Sequence, residues 1–321
     1  MFLYPQYAKW TLFYSLFIFP SLGLADNHRN FSIGLTQTNN LEIQQGESVK
    51  RIGISHDFSF LKQSLDYAGG YTLETQFNYN KSLDNTGDIA RIHLAASRLL
   101  SLNNHWLMRS QVVLQHYNHQ PVRINGYTAV QLENTLGYVQ TNNQGTDIQL
   151  KWRMESHNQA ENDHYKTRNM GLALSHYFPH QDQSAYWVSH MGVTQYNADD
   201  KHRDFTRLST GLEYRQWHIG KFTGSTSLQW EYDQYKFKAK PYCLSTSSKS
   251  QCTEEIEAFQ ANNNRRSKQK DHYIFSEISI SRPIKKSLDL QLSASVGHYR
   301  SSIQNIDENF YRLSSRINWN F

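Results

Sequence analysis

Hydrophobic and polar residues alternate one by one along most of this chain. Tyr71, Leu73, Phe77 and Tyr79 share one parity, and Thr72, Glu74, Gln76 and Asn78 share the other. Ile148, Leu150, Trp152 and Met154 likewise oppose Asp147, Gln149, Lys151, Arg153 and Glu155. Leu288, Leu290, Leu292, Ala294 and Val296 oppose Asp289, Gln291, Ser293, Ser295 and Gly297. A strand sorts such a pattern onto two faces, whereas a helix would smear it around its surface. Segments of this kind fall at 30–38, 50–61, 70–80, 88–100, 105–117, 126–140, 146–156, 166–178, 184–196, 203–217, 221–237, 271–282, 287–300 and 310–321. The pattern is weakest at 184–196, where both parities are mixed.

Turn-forming residues separate the segments. Leu102-Asn103-Asn104, Asn142-Asn143-Gln144-Gly145, His218-Ile219-Gly220 and Pro283-Ile284-Lys285-Lys286 read as tight turns at every second connection. The connections 39–49, 81–87, 118–125, 157–165 and 238–270 are longer or more charged, and 61–69 is long for a tight turn. Long segments with alternate short turns predict an all-β, antiparallel transmembrane barrel of about 14 strands, 12 or 16 being the neighbouring even counts. Both ends then lie on the short-turn, periplasmic side.

Composition fits a barrel. Aromatics make up 13% of the 321 residues, with 20 Tyr, 16 Phe and 7 Trp. The mean hydropathy of −0.71 is too polar for a helical membrane protein. A barrel needs apolar residues only at alternate positions. Residues 1–25 read as an export signal: Lys9, a short apolar core over 10–19, and small residues ending at Ala25. The barrel then occupies 26–321, in the outer membrane, with outer-membrane lipid as its surroundings.

The net charge of +5 is spread through every segment, and the only dense basic cluster is Arg265, Arg266, Lys268 and Lys270. No nucleic-acid partner is expected from such a distribution. The segment 238–270 is the longest irregular piece, a surface loop or else a plug, lid or partner-binding loop. Cys243 and Cys252, with eight residues between them, are expected to form a loop-closing disulfide there. The 15 histidines are scattered without metal-ligand spacing, and neither a metal site nor a cofactor is expected.

By parity, Arg153, Glu155, Glu213, Arg215, Glu231, Arg312 and Arg316 are candidate lumen charges. Arg51, Asp57, Glu74, Arg91, Arg109, Glu133, Lys151, Arg207, Asp233 and Glu277 share that face. Both signs are present, so they either neutralise one another across strands or form a selectivity ring. An enzyme is not expected. The nearest catalytic candidate, His298 with Ser301 and Ser302, resembles the His-x-Ser-Asn type of motif of outer-membrane deacylases and phospholipases. Arg300 intervenes and no Asn follows the serine.

The closing stretch Phe310 to Phe321, FYRLSSRINWNF, places Tyr311, Trp319 and Phe321 on one face. It resembles the terminal signal read by the barrel-assembly machinery of Gram-negative bacteria, which that resemblance implies as a partner. Residues 203–321 also resemble the C-terminal barrel of surface lipoprotein assembly modifiers. The likeness lies in the basic loop end 265–271, the strand 272–282, the Pro-Ile-Lys-Lys turn, a strand ending His-Tyr-Arg-Ser-Ser-Ile, and the closing stretch. It implies a passage or export barrel with a lipoprotein client or a periplasmic partner. That family usually carries a helical-repeat domain before its barrel, whereas here alternation begins a few residues after the expected signal cut. The alternatives are a porin-like diffusion channel and a surface-exposed structural or adhesive barrel.

Overall fold

The computed structural model describes residues 26–42, 47–66, 69–83, 88–103, 105–120, 125–140, 144–159, 164–179, 185–199, 204–236, 269–302 and 307–320. Residues 1–25, both cysteines, the cluster at 265, 266 and 268, and Phe321 lie outside the described residues.

The strands are β1 (Asp26–Glu42), β2 (Glu47–Asp66), β3 (Gly69–Ser82), β4 (Asp88–Ser101), β5 (Trp106–Gln120), β6 (Asn125–Val139) and β7 (Gly145–Gln159). They continue as β8 (His164–Pro179), β9 (Tyr186–Ala198), β10 (Phe205–Ile219), β11 (Phe222–Tyr235), β12 (Lys270–Lys285), β13 (Leu288–Ser301) and β14 (Asp307–Asn320). Each pairs antiparallel with its neighbours in sequence, and β14 pairs with β1, so the 14 strands close into a barrel. Closure satisfies the last row of backbone N–H and C=O groups, which an open sheet leaves exposed. The closing ladder runs from Asn30↔Asn320 to Asn39↔Tyr311, with Phe31 opposite Trp319.

One parity of each strand is apolar and exposed. Leu150, Leu172, Met191, Leu212, Leu228 and Val296 are each between 44% and 59% exposed. These residues form the convex face. The other parity is the concave face, because its side chains meet across an intervening strand. Arg316 of β14 reaches Asp57 of β2 past β1, and Arg153 of β7 reaches Gln115 of β5 past β6. Inward curvature draws side chains on alternate strands toward one another.

The convex face carries aromatic pairs at the short-turn end. Phe31 and Trp319 lie 5.9 Å apart, Trp106 and Tyr138 4.8 Å, and Trp187 and Tyr214 4.6 Å. Such pairs contribute about 0.5–1.5 kcal/mol beyond the area they bury. Amphipathic rings in this position match the girdle of a membrane-water interface.

Several boundaries differ from the sequence expectation. The first ladder extends through Leu41↔Ser48 and Glu42↔Glu47, leaving 43–46 rather than 39–49 as the connection. Pairing through Asp66↔Gly69 likewise shortens the 61–69 connection to two residues. Backbone pairing continues there without an apolar face to announce it. Lys270, placed in the long loop, opens β12 opposite Gln234. The Pro-Ile-Lys-Lys turn belongs mostly to β12, and the turn itself is Lys286-Ser287. The register shifts between Pro283 and Lys285, and this irregularity takes up a proline that has no N–H to give to a ladder. The segment 184–196 is the strand β9, with Trp187, Met191 and Val193 on the convex face. Its concave face carries Val188 and Tyr196 between polar neighbours, which blurs the alternation.

Gln216 has φ of 56° and Gly220 has φ of 60°. Glycine enters that region without a steric cost and glutamine does not. Gln216 sits where the register of β10 against β11 shifts between Arg215 and Trp217. The bulge puts the Trp217 ring over Gly224, its register partner, where any Cβ would collide with it.

Candidate functional site: the lumen wall

The concave face gathers the charged and amide side chains into three networks. Each is positioned by strand register rather than by a loop.

The first surrounds Asp57 on β2. Its carboxylate accepts the Ser32 hydroxyl at 3.1 Å, the Asn78 amide, and the Arg316 guanidinium at 2.8 Å. Arg91 on β4 lies opposite Asn78 and stacks over the Tyr117 ring, 5.1 Å from its centroid. Arg312 shares the inward face of β14 with Ser314 and Arg316, two and four residues further along. Glu277 of β12 shares its cross-strand row, through Ser295 of β13. Both Arg91 and Arg312 are exposed toward the lumen, and among the described residues neither has a carboxylate in ion-pairing range.

The second is centred on Arg153 of β7. It donates to Glu155, to Gln115 Oε1 at 2.8 Å and to Gln131 Oε1 at 3.3 Å, and lies 5.6 Å from the Tyr127 ring centre. Glu155 also accepts His157 Nε2 at 2.8 Å and the Thr167 hydroxyl at 3.2 Å. Glu133 accepts Gln131 Nε2 at 3.1 Å and Arg109 Nη2 at 3.1 Å. His157 stacks on Tyr165, with centroids 4.4 Å apart and an interplanar angle of 5°.

The third lies toward the upper ends of β10 to β13, on either side of the segment that joins β11 to β12. Arg207 binds Asp233 in bidentate fashion, both bonds at 2.7 Å, and meets Glu231 at 2.8 Å. Its guanidinium also lies 5.5 Å from the Tyr196 ring and 5.6 Å from that of Tyr273. Asp233 faces Asp271 directly across the ladder, and the two are 1% and 0% exposed. Asp271 accepts the Ser301 hydroxyl at 2.7 Å and the Gln269 amide at 2.9 Å. Lower on β10, Arg215 pairs with Glu213 at 2.6 Å.

Among the sequence candidates, the structure therefore brings together Arg153 with Glu155, Arg215 with Glu213, Glu231 with Arg207, and Arg316 with Asp57. The side chain of Arg51 lies outside the described residues. Asp271, at the first position of the segment 271–282, was left out of the lumen charges, as was the aromatic side of the network, Tyr117, Tyr127, His157 and Tyr165. The available signal was that these rings share the parity of the charges, against the apolar face.

The catalytic candidate does not assemble. His298 is on the convex face, 3.1 Å from Asn309 Oδ1 and 3.3 Å from Asp307 Oδ1. Ser301 is buried on the concave side against Asp271, and Ser302 accepts the Lys270 backbone N–H at 2.8 Å. Among the described residues no three His, Cys, Asp or Glu side chains gather in a metal-binding arrangement.

Most of the wall is wet. Arg109, Arg207 and Arg316 keep 47%, 26% and 27% of their side-chain surface accessible. A cavity of about 460 Å³ opens on the wall from β13 across the seam to β6, lined by Arg91, Arg316, Asp57, Gln76, Gln291 and Asn318 among others.

No protein-family model matches the chain, and no curated protein matches it. Among solved structures it is similar to CdiB from Acinetobacter baumannii, at 11% identity and a TM-score of 0.47 over 91% of this chain and 60% of that one. The chain thus spans 60% of the length of that protein. It is also similar to a loop-deletion mutant of OmpT, an outer membrane protein of Vibrio cholerae, at 5% identity and a TM-score of 0.48 over 94% of this chain and 100% of that one. OprB of Pseudomonas putida follows at 6% identity and 0.48, over 92% and 94%.

Proposed function

We propose that this protein is an outer-membrane channel that lets small hydrophilic solutes cross through its lumen. The observation that carries this reading is the division of the barrel wall into an exposed apolar convex face and a polar, mostly charged concave one. The apolar belt and the aromatic girdle suit a bilayer. A wall of arginines, carboxylates and amides suits water and polar solutes. The short-turn end then faces the periplasm and the connection between β11 and β12 faces the cell exterior. Outer-membrane lipid surrounds the barrel, and the barrel-assembly machinery inserts it.

Swelling of proteoliposomes in isotonic solute tests the reading. Vesicles holding the folded full chain are expected to swell in small sugars faster than empty vesicles. Equal rates, with folded insertion verified, would remove the channel.

The resemblance of residues 203–321 to surface lipoprotein assembly modifiers supports a second reading, a passage barrel for a lipoprotein client. In that case deletion of the gene abolishes surface display of a lipoprotein, while small-solute permeability stays unchanged.

A further inference from the structure

Asp57 already accepts Ser32, Asn78 and Arg316. Its single charge is taken by Arg316, while Arg91 lies over the face of Tyr117. Arg91 and Arg316 both line the 460 Å³ cavity, a volume within the usual range of small-molecule sites. Arg312, on the same face of β14 as Arg316, is also exposed. Guanidinium groups offer planar forks of N–H donors that match carboxylate and phosphate oxygens. The remaining lining is rich in carboxamides, among them Gln76, Gln291 and Asn318, which present both donors and acceptors to hydroxyl groups.

We infer that this cavity is a resting site along the lumen for a small solute with one anionic group, carboxylate or phosphate, on a hydroxyl-bearing body. The anion lies against Arg91, which among the described residues has no carboxylate in ion-pairing range. The hydroxylated part lies against the amides of β3, β13 and β14. A cation gains little there, because Asp57, the one carboxylate of the cavity lining, already holds Arg316 as its counter-charge. The inference rests on the channel reading for its purpose, since a site on the lumen wall serves a solute in transit.

The test is calorimetric titration of the folded full chain in detergent micelles with gluconate, glucose 6-phosphate and glucose. Both anions are expected to bind, and glucose to bind more weakly by about tenfold or more, the worth of one charge-assisted contact. Arg91→Gln should weaken gluconate by about tenfold while leaving glucose little changed, and Arg91→Lys should restore part of the loss. Gel mobility before and after heating confirms that each variant is folded. Equal binding of gluconate and glucose, or full gluconate affinity in Arg91→Gln, overturns the inference. Bilayer conductance on the same preparation separates the two ideas. Anion binding without conductance sinks the channel and keeps the site, and conductance without anion preference sinks the site and keeps the channel.

Discussion

Arg316 Nη2 lies 2.8 Å from Asp57 Oδ2 although their strands, β14 and β2, are separated by β1. The pair bridges the seam where the barrel closes. Asp57→Asn removes the counter-charge and leaves Arg316 in a wall that is only partly hydrated. The expected loss is about 1–2 kcal/mol, below the value for a fully buried pair because water reaches both groups. Urea unfolding followed by gel mobility measures it. The same change should move the zero-current potential in a salt gradient toward anion selectivity.

Arg207 is the more costly residue to remove. Asp233, which it holds through two bonds, is 1% exposed and cannot recover its hydration. Arg207→Ala should therefore cost about 3–5 kcal/mol, as when one partner of a buried pair is lost. Arg207→Lys should lie between, since an ammonium cannot reproduce the bidentate geometry. Unfolding in urea distinguishes all three proteins.

Much of this barrel was legible in the sequence, and what was not has a physical reason. Period two sorts side chains onto faces without any knowledge of neighbours, so Leu150 and Lys151 separate on inspection. Register is a relation between strands, and nothing in the local sequence of β7 tells Arg153 that Gln115 lies within reach. The strand ends were misplaced where pairing outruns patterning, as at Glu42↔Glu47 and Lys270↔Gln234. Pro283 was misread as turn chemistry because a proline signals a break in the ladder, and an irregularity within a strand is also such a break. Asp271 shares the inward parity of Tyr273 and Glu277, but as the first residue of its segment it read as a strand end rather than as part of the lumen wall.

The two faces of β7 give a direct contrast in stability. Leu150, 52% exposed on the convex face, should tolerate arginine at a cost of about 2–4 kcal/mol if it meets lipid near the midplane. Gln149→Arg, one residue away and facing the lumen, should change stability by less than about 0.5 kcal/mol. Reversible unfolding from lipid vesicles compares the two. A similar cost at both positions would mean that neither face meets lipid.

Trp217 and Gly224 are fitted to each other. Gly224→Val has no room beneath the indole and should cost about 1–3 kcal/mol. In a Trp217→Ala background the same change should cost much less, because the obstructing ring is gone. At the adjoining bulge, Gln216→Gly should be neutral or stabilising and Gln216→Val should cost about 1–2 kcal/mol, given the positive φ. A double-mutant cycle of the first pair and thermal shifts of the second series measure these effects.

The central claim, a wet lumen enclosed by a lipid-facing wall, is tested most directly by single cysteines along β7 during current recording. In a Cys243→Ser, Cys252→Ser background, Gln149→Cys, Leu150→Cys, Lys151→Cys and Trp152→Cys are each treated with a charged, membrane-impermeant thiol reagent. The account predicts that current changes at 149 and 151 and stays constant at 150 and 152. Reaction at all four positions, or at 150 and 152 alone, would contradict it.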